Sequence, residues 1–161
     1  MRREVLAERI RERAVAWAIG AVDAATIDRV NIYQASRMAM RIAVNRLHPA
    51  PDFLLVDAVP LELALPQRAL IKGDARCHAI AAASILAKVQ RDACMRAWDR
   101  IFPEYGLAAH KGYATAVHCR ALEQYGPTPL HRLSFEPVRA QSRFPLDSGG
   151  QLGLFDTAGA A

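Results

Sequence analysis

Lysine is nearly missing from this chain. Lys72, Lys88 and Lys111 are the only ones, and arginine supplies almost all of the net charge of +5. Guanidinium forks fit phosphate oxygens, and a basic balance with a pI near 9.5 favours polyanionic partners, although an excess this modest also serves plain solubility. Cysteine is sparse too. Cys77, Cys94 and Cys119 are odd in number, far apart and form no C-x-x-C pair, which excludes a disulfide framework and predicts a reduced, cytoplasmic setting. Long apolar runs are also lacking: the longest small-and-apolar stretch, Ala79 to Ala87, is less than half the roughly 20 residues a bilayer demands. The first fifteen residues carry Arg2, Arg3, Arg9, Arg11 and Arg13 and no apolar signal core, so no targeting segment is visible and no membrane is expected. With 161 residues, 52% of them hydrophobic, one ordinary core and a single folded domain are the expectation.

What is present concentrates between Phe53 and Asp92. Two short apolar runs each lead to an aspartate: Asp57 closes Phe53-Leu54-Leu55-Val56, and Asp74 follows Ala69-Leu70-Ile71-Lys72-Gly73. A carboxylate at the C-terminal edge of a buried strand is fixed beside solvent, where Mg²⁺ or Mn²⁺ can be held by oxygen ligands. The plain alternatives are a strand-end turn for Asp57 and a helix N-cap for Asp74. Ten residues, Ala58 to Gln67, join the runs and are stiffened by Pro60 and Pro66. Extended, they reach roughly 33 Å, well beyond the ~17 Å of a five-residue strand, so the chain can run back and begin a parallel neighbour. Both aspartates would then share one edge.

Elsewhere the patterning is coarser. Residues 2–13 alternate arginine and glutamate around Val5, Leu6 and Ile10, predicting an exposed helix with a narrow apolar stripe. Val15, Trp17 and Ile19 alternate over 14–22 and predict a strand ending near Gly20. Asp23 to Arg29 predicts a short helical turn, and Asn31 caps a second helix to about Leu47, stopped by Pro49 and Pro51. Arg76 to Phe102 predicts a long helix whose small residues let it lie close to a sheet, ended by Pro103. Asp92, deep in that helix, reads as a surface or salt-bridged residue. From about Ala140 the pattern dissolves and predicts a flexible tail over 140–161.

Six blocks in order carry a family resemblance over 1–139: Leu54-Leu55-Val56-Asp57, Lys72-Gly73-Asp74, Ala81 through Asp92, Phe102-Pro103-Glu104-Tyr105-Gly106, His110-Lys111-Gly112-Tyr113, and His131-Arg132-Leu133-Ser134-Phe135 with Pro137-Val138. Together they resemble type 2 ribonuclease H, the bacterial ribonuclease HII. The resemblance implies an α/β, ribonuclease H-like mixed sheet flanked by helices. It also implies hydrolysis of the RNA strand in RNA–DNA hybrids, and of duplex DNA at single embedded ribonucleotides, by two metal ions, Mn²⁺ or Mg²⁺, held by four acidic residues. The products would carry 5′-phosphate and 3′-hydroxyl ends. Asp57 and Asp74 match the third and fourth of those acids. Tyr113 matches the tyrosine that stacks at the RNA-to-DNA step, with a half-buried loop aromatic as the plain alternative; Lys111 and His110 lie where phosphate contacts are expected, with solvated loop residues as theirs.

The family pattern opens with a strand bearing an Asp-Glu pair and a Gly-Arg-Gly turn, and these 161 residues contain neither. The first two strands and first two acids are therefore missing from the expected fold, and Glu4, Glu8 and Glu12, spaced four apart on an exposed helix, read as arginine partners instead. The expectation is a marginal or inactive domain whose gene product begins upstream or is a remnant, with a complete form acting as a monomer. In the tail, Gln151-Leu152-Gly153-Leu154-Phe155 resembles the peptide that docks on the bacterial sliding clamp: Gln151 fixing register, Leu152 beside it, Leu154 and Phe155 filling an apolar pocket. A tail folding back on its own core is the alternative reading, and a non-catalytic, clamp-tethered nucleic-acid-binding remnant is the alternative function.

Overall fold

A computed structural model describes residues 2–141. Helix α1, Arg2–Arg13, lies against the long helix α4, His78–Ile101, and its one buried side chain is Ala7, while Val5 and Leu6 stay exposed. The expected stripe is thus displaced: a methyl group lets the two helices approach where a larger side chain would hold them apart.

Residues 14–23 are not the predicted strand. They run irregularly beside helix α2, Ala24–Asn45, so close that a Cβ on Gly20 would stand 1.9 Å from the Ala39 carbonyl oxygen. Arg46 fixes the path by donating from Nη1 to the Ile19 carbonyl at 3.0 Å. Alternation without a ladder partner leaves Val15 88% exposed, because side-chain pattern alone supplies no hydrogen bonds for an extended backbone. In α2 the predicted break holds. Asp23 caps the first turn by accepting from the Thr26 amide, and Asn31 leaves helical geometry (φ 70°) and caps the remainder by accepting from Gln34 N at 3.1 Å.

Strands β1, Leu54–Asp57, and β2, Gln67–Leu70, are parallel, with Leu54 opposite Gln67 and Asp57 opposite Leu70. The intervening linker does fold back. Gln67 pins it, donating to the Leu61 carbonyl at 2.8 Å and accepting from the Leu61 amide at 2.7 Å, while Leu61 joins Leu54 and Val56 in a small core that Met40 and Val44 of α2 complete. β2 begins and ends earlier than expected; Ile71 and Lys72 form a turn, and Gly73 already opens helix α3, Gly73–Arg76. Extended backbone at Cys77 (φ −138°, ψ 121°) separates α3 from α4, so the predicted long helix begins at His78, two residues later than expected, and Arg76 closes α3 instead. Pro103 ends α4 as expected.

Beyond it come a 3-10 turn, Pro103–Tyr105, and helices α5, Leu107–His110, α6, Ala116–Tyr125, and α7, Glu136–Gln141. Tyr105, Leu107, Ala121, Leu122 and Val138 form their core, with Phe102, Leu130 and Phe135 around it. Asp28 of α2 ties this part back: its carboxylate accepts from the Leu133 amide at 2.7 Å and from the Ser134 amide and hydroxyl at 3.0 and 2.6 Å. Among the described residues, no helix is long and apolar enough to cross a membrane.

Candidate active site and nucleic-acid face

Asp57 stands at the C-terminal end of β1, half-buried, and its Oδ1 accepts from the Gly73 amide at 2.8 Å. That bond brings the second aspartate alongside, because Asp74 is the next residue. Gly73 is required by this approach: a Cβ there would stand 2.6 Å from Ile80 Cδ1 and 3.1 Å from Asp57 Oδ1. Asp74 is exposed, and rather than ending a strand or capping a helix it sits in the first turn of α3, with Oδ1 accepting from the Ala75 amide at 2.9 Å. The backbone bends sharply on both sides of the pair. Ala58 (φ 63°) and Lys72 (φ 54°) both occupy the left-handed region, an uncommon choice for residues with a Cβ and typical of sites where geometry is held for function.

Each carboxylate accepts one backbone hydrogen bond, Asp57 from Gly73 and Asp74 from Ala75, and both residues retain solvent access. Two such carboxylates fit a Mg²⁺- or Mn²⁺-type ion, which commonly takes one or two protein carboxylates and completes its shell with water and substrate phosphate oxygens. They do not form a closed cage: among the described residues no group of three or more His, Cys, Asp or Glu side chains is placed to hold a metal.

α4 connects this edge to a basic, aromatic face. Tyr113 follows the turn after α5, with its ring 61% exposed. Lys88 Nζ and the Arg91 guanidinium lie 5.7 and 5.5 Å from the ring centroid. Lys88 also pairs with Asp92 at 2.7 Å. Burial works against the ionised Asp92, but the Lys88 hydrogen bond and charge, with Lys111 and Arg91 adding to them, outweigh it and hold the carboxyl below the usual range. The salt-bridged reading of Asp92 is therefore correct. Lys88 and Arg91 have no role in the sequence reading; their three-residue spacing on one helix face is the signal that could have placed them on a shared surface.

The two expected phosphate contacts divide. Lys111 keeps its ammonium beside this face while donating to the Ala108 carbonyl. His110 does not present a free nitrogen: Nε2 bonds the Tyr105 carbonyl at 2.6 Å, Nδ1 accepts from the Gly112 amide at 3.1 Å, and the ring stacks on His118 at 4.4 Å. His110 organises the turn from within, with both ring nitrogens engaged by the backbone. Gln151, Leu152, Leu154 and Phe155 lie outside the described residues.

The arrangement of parallel strands, acidic edge and flanking helices is that of the α/β ribonuclease H-type fold: the crystal structure of ribonuclease H2 from Pyrococcus horikoshii superposes with a TM-score of 0.71, covering 86% of this chain and 74% of that one at 24% identity. At the level of sequence, residues 1–138 match the family model described as Ribonuclease HII. The chain belongs to the ribonuclease HII family. It is 83% identical over 160 residues to ribonuclease HII of Solibacter usitatus, covering 99% of this chain and 70% of that protein. It is 56% identical over 136 residues to ribonuclease HII of Koribacter versatilis, covering 84% of this chain and 54% of that protein, and 49% identical over 138 residues to the Enterococcus faecalis protein, covering 86% and 54%. The chain thus spans about half the length of the latter two relatives.

Proposed function

We propose that this chain carries half of the acidic centre, and the ribose-sensing face, of a metal-dependent endonuclease. The enzyme would cut the RNA strand of RNA–DNA hybrids, and DNA at single embedded ribonucleotides, leaving 5′-phosphate and 3′-hydroxyl ends. The observation that carries this reading is the side-by-side placement of Asp57 and Asp74 through the Gly73 amide at the edge of a parallel sheet. Asp57 and Asp74 would hold divalent cations, Mn²⁺ or Mg²⁺, whose chemistry when bound is to generate the attacking hydroxide and stabilise the leaving 3′-oxygen. The Gly73 amide holds Asp57 Oδ1, and the chain turns through positive φ at Ala58 and Lys72 on either side of the pair. Tyr113 offers its ring face to the sugar and base at the ribonucleotide, while Lys88, Arg91 and Lys111 supply positive charge for flanking phosphates.

The test is incubation of a duplex bearing one ribonucleotide with the protein and Mn²⁺. Cleavage on the 5′ side of the ribonucleotide, lost in Asp57→Asn and in chelator, is the expected result; uncut duplex in the unmodified protein refutes independent catalysis. A second reading follows from there being two carboxylates at the edge: a non-catalytic module that binds hybrids, which the same protein would reveal by retaining the duplex without cutting it. For the tail, the reading is attachment to the sliding clamp through Gln151–Phe155; unchanged clamp binding after Leu154→Ala with Phe155→Ala would refute it.

A further inference from the structure

Three histidines from separate segments converge beneath Tyr113. His118, near the start of α6, is 1% exposed; its Nε2 lies 3.0 Å from His131 Nε2, and its Nδ1 lies 2.9 Å from the Tyr113 carbonyl oxygen. His131, in the loop before α7, has its Nδ1 3.0 Å from the Thr128 amide. His110 stacks on His118 with planes 17° apart, and Phe135 covers another side of His118 at 5.9 Å. The proton positions follow from the one donor whose direction is fixed. A backbone amide can only donate, so His131 Nδ1 must carry a lone pair and, in the neutral ring, its proton sits on Nε2. That proton points at His118 Nε2, which must then accept. The proton of His118 is left on Nδ1, donated to the Tyr113 carbonyl.

Every link is satisfied in one tautomer of each ring, and the chain runs one way: Thr128 amide, His131, His118, Tyr113 carbonyl. Charging His118 would set two N–H groups facing each other at 3.0 Å, and charging His131 would turn an N–H against the Thr128 amide, leaving the Thr128 hydroxyl, 2.9 Å from the same Nδ1, as its acceptor. The same carbonyl of Tyr113 also accepts from the Thr115 amide at 2.8 Å, and the Tyr113 amide donates to the His110 carbonyl at 3.0 Å. The result is a residue whose backbone is tied at every polar atom while its ring projects into solvent. Phenylalanine at 118 would fill the same space but leave the His131 Nε2–H without a partner and the Tyr113 carbonyl with the Thr115 amide alone.

We propose that His118 and His131 form a directed, neutral hydrogen-bond relay that positions Tyr113, making them positioning residues for ribonucleotide recognition. They touch no substrate. Their work is to remove freedom from the Tyr113 backbone before the duplex arrives, so that ordering the sensor is not charged against binding. This inference rests on the reading of Tyr113 as the ribose sensor, and the experiment has arms that separate the two.

Long-range ¹H–¹⁵N spectra of the histidine-labelled protein at pH 7.5 report each tautomer directly; His118 is expected as the Nδ1–H form and His131 and His110 as Nε2–H forms. Binding of a duplex with one ribonucleotide is then compared with binding of the all-DNA duplex in the absence of metal. His118→Phe is expected to cut the preference for the ribonucleotide about fivefold, matching Tyr113→Ala, with all-DNA binding unchanged. His118→Asn, whose amide can still donate to the Tyr113 carbonyl, is expected to keep most of the preference. His131→Leu, which removes the upstream donor and leaves His118 in place, serves where the first variant does not fold, and is expected to lower the preference less than His118→Phe. An Nε2–H tautomer at His118, or a preference untouched by both His118→Phe and His131→Leu, overturns the relay. Absence of any ribonucleotide preference in the unmodified protein, with the expected tautomers seen, overturns the reading of Tyr113 and with it the recognition role of the relay, while leaving the relay's geometry confirmed.

Discussion

At the acidic edge, Asp57 is fixed by a single backbone amide, the sheet beneath it has two strands, and Leu55 and Ile71 beside it are exposed. Around Tyr113 the construction is denser: Tyr105 and Leu122 are almost wholly buried, Tyr105 Oη donates to the Gly126 carbonyl at 2.7 Å, and the histidine rings pack in contact with one another. The contrast separates two ways of presenting chemistry. On the proposed reading, carboxylates that hold a hydrated cation need open lone pairs, which fits the sparse cover around Asp57 and Asp74. On the same reading, a ring that discriminates one hydroxyl needs a rigid seat, which fits buried supports under an exposed Tyr113.

The sharpest way to break that comparison is to delete equal side chains from the two regions. Leu122→Ala, in the fully buried core under Tyr113, is expected to cost roughly 3–4 kcal/mol in urea unfolding, and Leu54→Ala, beneath the acidic edge, roughly 2–3 kcal/mol. Equal or reversed costs would show that the edge is as tightly built as the sensor's seat. Next in size is Gly73→Ala. Alanine is ordinarily the better helix residue by about 1 kcal/mol, but the overlap with Ile80 and Asp57 costs about 1–3 kcal/mol, so a net loss is expected. Weaker Mn²⁺ binding by calorimetry should accompany it, because relieving the overlap displaces the Asp57 carboxylate.

Acid should act on the sensor's seat selectively. Burial lowers the affinity of His118 for a proton, with the Tyr113 carbonyl opposing and His110 adding to the effect; burial likewise lowers that of His131, helped by His118 and His110 and opposed by the Thr128 backbone. The unfolded chain then binds more protons than the folded one, so the stability these rings contribute is complete above the ordinary imidazole value of about 6.5 and is lost as pH falls through their lowered values. The urea midpoint should therefore be lower at pH 5 than at pH 7.5, and the drop should shrink in His118→Asn. The groups facing the pair are His110, stacked on His118, and Tyr105, 5.2 Å from His131. A midpoint indifferent to pH would remove the requirement that both rings be neutral.

Much of the acidic edge was legible because it is local. The run up to Asp57 marks β1, the linker length permits the parallel pairing that β2 adopts, and Asn31 announces its cap in three residues. Residues 14–22 misled because alternation describes side chains and says nothing about a ladder partner, and close packing on α2 decided that path instead. The position of Asp74 within a helical turn was hidden by the apolar run before it, which reads as strand up to Lys72 although Ile71 and Lys72 form a turn and Gly73 opens α3. The relay was illegible for a different reason. His118 and His131 are thirteen residues apart in loops and a helix start, with no period that joins them, and their meaning depends on which atom faces which.

The smallest expected effect lies where the two regions touch, at Lys88 and Asp92. The pair is well formed at 2.7 Å, yet both side chains keep solvent access, 31% and 23%, and the lysine precedes the aspartate, the less favourable order along a helix. A double-mutant cycle with Lys88→Met and Asp92→Asn should give a coupling of only about 0.3–0.5 kcal/mol, reduced further in 1 M salt by screening. Lys88 nevertheless faces the Tyr113 ring as well, so its ammonium is shared between an anion and an aromatic face. Lys88→Met should therefore weaken duplex binding more than Asp92→Asn does, although their stabilities change alike. Equal losses of binding from the two substitutions would mean that the ion pair, rather than the free side of the ammonium, is what the duplex meets.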